Sequence, residues 1–353
     1  GTIKLDGNYP VGTNNVALGD AAFGSNTSGS YNVATGTNAL SSNTTANNNT
    51  AVGYEAGKTQ TTAQHNTLIG SQTGYGITTG SFNAAVGGGN LLANTTGANN
   101  TAVGWNALRF NTTASNNTAV GYKAGYSTTV GFNNTLFGDK AGYSNVGNRG
   151  NTFLGQESGY SYNRAGSGDT FNTFVGYRAG YSQSTDGLYN TYVGLFSGNL
   201  ITTGSKNTIL GGYNGNQGGL DIRTSSNNIV LSDGDGNPRL YINSLGRAGI
   251  NETNPQAQLY LSADANTTEP FTVNDTSSSG ATSKHRISFK YQRTEVGSIK
   301  ANNSSTSFNT SSDYRLKENV IELTGATARL NQLAPKRFNF IVDAETTVDG
   351  FLA

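Results

Sequence analysis

The sequence contains no cysteine and no methionine, one tryptophan, five prolines, and two histidines, His65 and His285. Without cysteine there is no disulfide framework and no thiolate to act as nucleophile or ligand. Two isolated histidines do not supply an ordinary zinc site, so no metal is expected, and each is read as structural or solvent-facing rather than catalytic. No cofactor is expected either. Charge is equally sparse: 22 basic and 21 acidic residues make up 12% of the chain and leave a formal net charge of +1, where about 25% charged residues is usual. A nucleic-acid binder needs clustered Lys and Arg to neutralise phosphates, so no nucleic-acid partner is expected. The longest apolar runs are a few residues, far short of the roughly 20 that a membrane-spanning helix needs, and no membrane insertion is expected. The chain opens on Gly1 with no charged-then-apolar leader. It is expected to be part of a longer polypeptide.

What the sequence has in excess is glycine, 48 residues, with asparagine almost as common. Low charge with this composition suggests disorder until its order along the chain is considered. Asn15 is followed by Val16-Ala17-Leu18-Gly19, and the same pattern recurs from Asn32, Asn49, Asn66, Asn83, Asn100, Asn117, Asn134 and Asn151 in steps of 17 residues. It continues at Asn172, Asn190 and Asn207, with steps of 21, 18 and 17. The glycine four places after each asparagine is present in all twelve repeats, from Gly19 to Gly211. A fixed period of this length is the mark of a solenoid.

Each repeat offers one short strand, such as Thr101-Ala102-Val103 or Thr173-Phe174-Val175, followed by a polar stretch of turn formers. One such strand buries no face alone, whereas stacked identical coils cover one another. The third residue after the asparagine is apolar in nearly every repeat (Leu18, Val52, Ile69, Val103, Val120, Phe137, Val175, Leu210), with Thr35 as an exception, and predicts an apolar row running along the solenoid. The asparagines are expected to form an amide ladder and the glycines a turn that a Cβ would obstruct. Coils of mostly small residues enclose little apolar volume, so strand edges and the apolar row call for association of several chains, a homotrimer being the usual answer for fibrous β proteins.

The unit Asn-Thr-Ala-Val-Gly-Tyr-x-Ala-Gly, from Asn49 to Gly57 and again from Asn117 to Gly125, resembles the head repeat of trimeric autotransporter adhesins. That resemblance covers residues 14 to about 216 and implies a left-handed parallel β-roll in a trimer. Beyond Gly219 the period stops. Asn228 to Ser232 and Arg239 to Ile242 read as a hairpin about Asp233-Gly234-Asp235-Gly236-Asn237-Pro238. Gly246 to Pro255 resembles an element found just upstream of fibre-terminal domains in phage and bacterial surface proteins. Residues 263 to 311 are rich in Ser, Thr and Asn, with one good strand from Arg286 to Tyr291.

Ser311-Ser312-Asp313-Tyr314-Arg315-Leu316-Lys317 closely resembles the start of the endosialidase-type intramolecular chaperone of phage tail spikes and fibres, and Leu330 to Leu333, Pro335 to Phe340 and Gly350 to Ala353 fit the same domain. The resemblance implies a chaperone that trimerises and then cleaves itself between Ser311 and Ser312, with Ser312 as nucleophile and Lys317 as its base. A lysine serves so only where burial lowers its pKa. On the residues alone, Ser312 or Asp313 is equally an N-cap ahead of an ordinary amphipathic helix over 315 to 323. The chaperone would be truncated at residue 353.

These readings give an all-β chain: a leader over 1–13, a twelve-repeat parallel β-solenoid over 14–216, a hairpin-containing neck over 217–262, a β-rich stalk over 263–311, and the start of an α-containing chaperone domain over 312–353. The expected function is a phage tail fibre in the virion tail that attaches to the host surface, its partners being copies of itself, other tail proteins, and a host-surface glycan or protein. A bacterial extracellular adhesin or filament is the alternative. A tail-spike polysaccharide depolymerase would need a carboxylate pair, and the acidic residues of the repeats (Asp20, Glu55, Asp139, Glu157) are few and scattered. No activity on an external substrate is expected, self-cleavage being the one candidate reaction. Ice binding finds no regular Thr-x-Thr face beyond the repeat itself. Two further features have competing readings: Asp233 to Gly236 as hairpin turn or calcium loop, and Tyr126, Tyr143, Tyr160 and Tyr181, at one repeat position, as packing ladder or glycan-stacking stripe.

Overall fold

A computed structural model describes residues 12–163, 168–184, 187–261, 284–291, 294–301, 306–310, 324–328, 336–340 and 343–350. The chain divides into two compact units, residues 1–271 and 272–353.

The first unit is a parallel β-solenoid. Every repeat contributes a three-residue strand, beginning with Val16–Leu18, Val33–Thr35 and Thr50–Val52 and ending with Thr208–Leu210. Each strand pairs in parallel with the next at identical repeat positions, as in Thr101↔Thr118, Ala102↔Ala119 and Val103↔Val120. Positive-φ corners bound the strands. Before each asparagine stands a left-handed residue, for example Asn48 at 58° and Asn116 at 59°, and asparagine tolerates that conformation better than most. After the strand comes the invariant glycine, Gly53 at 138° and Gly121 at 134°, a region that side chains avoid. Space forbids a side chain as well: a Cβ on Gly53 would lie 2.5 Å from the carbonyl oxygen of Gly70 in the next coil. Both reasons for the glycine expected from the repeat hold.

The asparagines form the expected ladder. The backbone N–H of Asn134 donates to Asn117 Oδ1 at 3.0 Å; Asn134 Nδ2 donates to the same oxygen at 3.1 Å and to the carbonyl of Asn148 at 2.9 Å. The backbone-to-amide bond repeats without a gap from Asn15 to Asn228, across the longer coils before Asn172 and Asn190 as well. Nearly all of these asparagines are buried. A buried amide is tolerated only when its donors and acceptor are satisfied, and the stacked coils satisfy them.

The interior is lined by the second residue after the asparagine, not by the apolar row itself. Ala51, Ala102, Leu136, Phe153, Phe174 and Tyr192 are fully buried, while the row residues Ile69 and Phe137 are 38% and 50% exposed. Strand alternation requires this: if the asparagine faces inward, so does the second residue after it, and the third faces out. Interior volume is shared between two positions. Where the strand centre is Ala34, Ala85 or Ala102, the residue six further on is Leu40, Leu91 or Leu108; where it is Phe153, Phe174 or Tyr192, that residue is Gly159, Gly180 or Gly198. A Cβ on Gly180 would lie 2.5 Å from the Phe174 ring. Leu108 takes the left-handed conformation that glycine holds elsewhere, φ 50°. That costs about 1–2 kcal/mol, and burying a leucine returns about 1.5–3 kcal/mol, so filling the space wins.

The ladder runs one rung past the twelve repeats. Ile229–Ser232 pairs in parallel with Thr208–Leu210, and Asn228 donates to Asn207. Ile229–Ser232 then forms the expected hairpin with Pro238–Ile242, antiparallel, and Ala248–Ile250 and Leu259–Leu261 extend the same sheet. In the second unit, Lys284–Tyr291, Thr294–Ala301 and Thr306–Thr310 form an antiparallel sheet that contains the strand expected from Arg286. Lys336–Phe340 and Asp343–Gly350 form an antiparallel pair. Among the described residues of this unit, helix is confined to residues 326–328.

Candidate functional site

Ser311, Ser312 and Lys317 lie outside the described residues, as do Arg315 to Leu323 and Leu330 to Leu333. The features that can be built from side chains are all on the solenoid, whose outside is ordered by the repeat as strictly as its inside.

One outer face carries the strand residues that point away from the core. Its threonines run in register, Thr101, Thr118, Thr135, Thr152, Thr173, Thr191 and Thr208 on successive coils. Beside them runs the apolar row, in which Ile69, Val86, Val103, Phe137, Leu154 and Leu210 are exposed. On the same face, exposed aromatic residues occupy several of the left-handed corners before the asparagine: Tyr31, Phe82, Phe171 and Tyr189. His65 shares that column. It stacks on Phe82 at 4.9 Å and has Asn48 Nδ2 3.4 Å from its Nε2, which makes it a surface side chain held by its neighbours.

Around the glycine corner lies an edge of aromatic and charged residues: Tyr54, Trp105, Tyr122 and Tyr177, then Glu55, Lys123, Lys140, Glu157 and Arg178. Two of its carboxylates are paired. Glu55 meets Lys58 at 2.7 Å and accepts from Gln72 Nε2 at 3.0 Å, and the Gln72 amide, followed by Lys58, holds its carboxyl below the ordinary range. Glu157 meets Arg178 at 2.6 Å. Glu55 and Glu157, engaged in this way, are not the free acid and base of a depolymerase, whereas Asp139 in the same edge keeps one buried carboxylate oxygen without a hydrogen-bond partner.

The four tyrosines are a packing ladder. Tyr126, Tyr143, Tyr160 and Tyr181 stack with centroids 5.0, 5.1 and 5.1 Å apart and planes within 8°. Their faces are spent on one another, leaving no free platform for a sugar between them. The Asp233 loop is a hairpin turn: Asp233 Oδ1 accepts from the N–H groups of Asp235 and Asn237, and Oδ2 pairs with Arg239 at 2.5 Å. The Asn237 N–H, with Arg239, holds its carboxyl below the ordinary range. No group of three or more metal-ligating side chains occurs among the described residues, and no described helix is long and apolar enough to cross a membrane.

No protein family, curated protein or solved structure matches the chain.

Sequence reasoning did not find the phenols at the far end of the solenoid. Tyr192 Oη donates to Gln183 Oε1 at 3.2 Å, Tyr213 Oη to the carbonyl of Leu220 at 2.9 Å, and Tyr241 Oη to Asn228 Oδ1 at 2.8 Å. Burial pushes all three pKa values above the ordinary 10.0. The folded chain therefore holds these protons more tightly than the unfolded one. Their contribution to stability is intact below pH 10 and is lost as pH rises from there through the raised values. Alkaline titration followed by circular dichroism is expected to show unfolding that begins above pH 10, and Tyr192→Phe, which has no proton to lose, is expected to move the midpoint upward. A midpoint unchanged by Tyr192→Phe would show that this phenol is not what limits alkaline stability.

Proposed function

We propose that the chain is the shaft of a homotrimeric phage tail fibre that attaches to the host surface, and that residues 312–353 begin a chaperone that cleaves itself with Ser312 as nucleophile and Lys317 as base. The observation that carries the fibre reading is the outer apolar row. Ile69, Val86, Val103, Phe137, Leu154 and Leu210 stay exposed on a single chain, in register along one face. A monomer has no use for such a continuous apolar stripe, and water-exposed patches of this kind mark association sites. Three copies packed about a common axis would cover the stripe on each, leaving the aromatic and charged edge free for the host. The rigid, repetitive backbone supports the same reading, because length is gained by adding coils without redesigning the core.

Light scattering at micromolar concentration tests this. The expected mass is three times 36.7 kDa, with a melting temperature that rises with protein concentration because assembly is linked to folding. A stably folded monomer under these conditions would overturn the proposal.

A further inference from the structure

We propose that the edge around Trp105 is a binding site for an acidic sugar, a pyranose unit that carries a negatively charged group. This deepens the host-attachment reading and rests on it. Gly88 and Gly89 follow the repeat glycine Gly87 and leave this coil with a bare stretch of backbone where the next two coils carry Trp105 and Asn106, then Tyr122 and Lys123. The next coil lays its side chains on that shelf. A Cβ on Gly88 would lie 2.6 Å from Trp105 Cζ3, so the indole is seated on the Gly88 backbone, and the residue is still 58% exposed. A Cβ on Gly89 would lie 2.9 Å from Arg109 Nη1. The guanidinium is held there by Asn106 Oδ1, which accepts from Nη1 at 2.6 Å. On the following coil Tyr122 is exposed, and the Lys123 ammonium stands 5.2 Å from its ring centroid and 5.1 Å from that of Tyr126. Backbone bonds fix the three coils to one another here, Asn106 N to Gly88 O and Lys123 N to Trp105 O, both at 2.9 Å.

Charge selects the ligand. On other coils of this edge Lys58 and Arg178 are neutralised by Glu55 and Glu157, while Lys140 makes no ion pair among the described residues. Arg109 and Lys123 have no acidic partner among the described residues. An aromatic face takes the C–H face of a pyranose, and a guanidinium beside it takes a carboxylate or sulfate in paired hydrogen bonds. A neutral sugar would leave both cations unanswered, and a purely ionic ligand would leave the indole unused. The acid group, whether a hexuronate carboxylate or a sugar sulfate, sits against Arg109 and Lys123 while the ring lies on Trp105.

Trp105 is the only tryptophan of the chain, so its fluorescence reports on this site alone. The intact protein is titrated with oligogalacturonate, with a sulfated oligosaccharide and with a neutral oligosaccharide of equal length. At least one acidic probe is expected to shift the emission to the blue and to shield it from a soluble quencher, at least tenfold more tightly than the neutral one, and which acidic probe does so identifies the acid group. Raising the salt should weaken the binding. Arg109→Ala is expected to weaken it about tenfold, and Trp105→Ala, followed by calorimetry, to abolish it. Gly88→Ala is a second route: Gly88 lacks a left-handed φ, so the backbone accepts alanine, but its Cβ displaces the indole. It should change Trp105 emission and weaken binding with Arg109 intact. Equal binding of the neutral probe, binding by Arg109→Ala at full strength, or no response to either acidic probe would each overturn the proposal. Adhesion of the whole protein to host cells that persists after such a failure would leave the fibre reading standing and this site refuted.

Discussion

Gly121→Val is expected to cost the solenoid about 2–6 kcal/mol of stability. Gly121 sits at φ 134°, and a Cβ there would lie 2.6 Å from the carbonyl carbon of Gly138 and 3.2 Å from the nitrogen of Asp139. The obstacle is backbone of the next coil, which cannot swing aside as a flexible side chain would. Strained φ costs about 1–3 kcal/mol for a residue with a side chain, and overpacking adds about 1–3 kcal/mol. Together they come to about 2–6 kcal/mol, a large share of the roughly 5–15 kcal/mol that holds a typical domain folded. A surface control separates this from the chemistry of valine itself: Thr113 is exposed in a connector, and Thr113→Val is expected to change stability by no more than about 0.5 kcal/mol. Urea denaturation of both variants beside the parent measures the difference. Should Gly121→Val unfold within 1 kcal/mol of Thr113→Val, as a rough margin for such measurements, the glycine column is not what sets the coil spacing.

The period itself was legible because one residue type at one spacing has few explanations, and the ladder bonds of Asn15 to Asn228 supply the reason for it. Which strand residue faces inward was harder to see. Val103 is more hydrophobic than Ala102, yet alanine is buried and valine exposed, since strand alternation and the inward asparagine decide the matter and hydrophobicity does not. A partial signal was available in the exchange between strand centre and the residue six further on, Ala102 with Leu108 against Phe174 with Gly180; where both are small, as in Ala51 with Gly57 and Ala119 with Gly125, leucines of the adjacent coils fill the space. The last rung escaped for a local reason. Ser232 replaces the glycine that marks every other rung, and the step from Asn207 to Asn228 is long. The Trp105 edge escaped for another: Gly88 and Gly89 carry no signal of their own after the repeat glycine Gly87, and only the neighbouring coil shows what lies on them. Ser312 and Lys317 rest on resemblance alone, because a nucleophile and its base are defined by distance and burial, and both lie outside the described residues.

Asn117→Ala is expected to cost about 2–6 kcal/mol, the same range as blocking the glycine column, by a different mechanism. Asn117 is fully buried. Its Oδ1 accepts from Asn134 N at 3.0 Å and Asn134 Nδ2 at 3.1 Å, and its own Nδ2 donates to the carbonyl of Gly131 at 2.9 Å. Removing the amide leaves the Asn134 N–H without its acceptor and the Gly131 carbonyl without this donor, at residues that are themselves buried. Each buried group deprived of its partner costs about 1–3 kcal/mol, which gives the range. Asn133, one residue before the next rung, is the informative contrast. It is exposed, with φ 59°, so Asn133→Ala forfeits only the tolerance of asparagine for that conformation, about 1 kcal/mol. Hydrogen exchange distinguishes a broken ladder from general loosening, because Asn117→Ala should speed exchange at the Asn134 amide beyond its effect on the Thr118 amide, which keeps its bond to the Asn134 carbonyl. Uniform acceleration along the chain would mean that the asparagine acts through global stability alone, and an Asn134 amide exchanging at the parent rate would show that the ladder bond does not protect it.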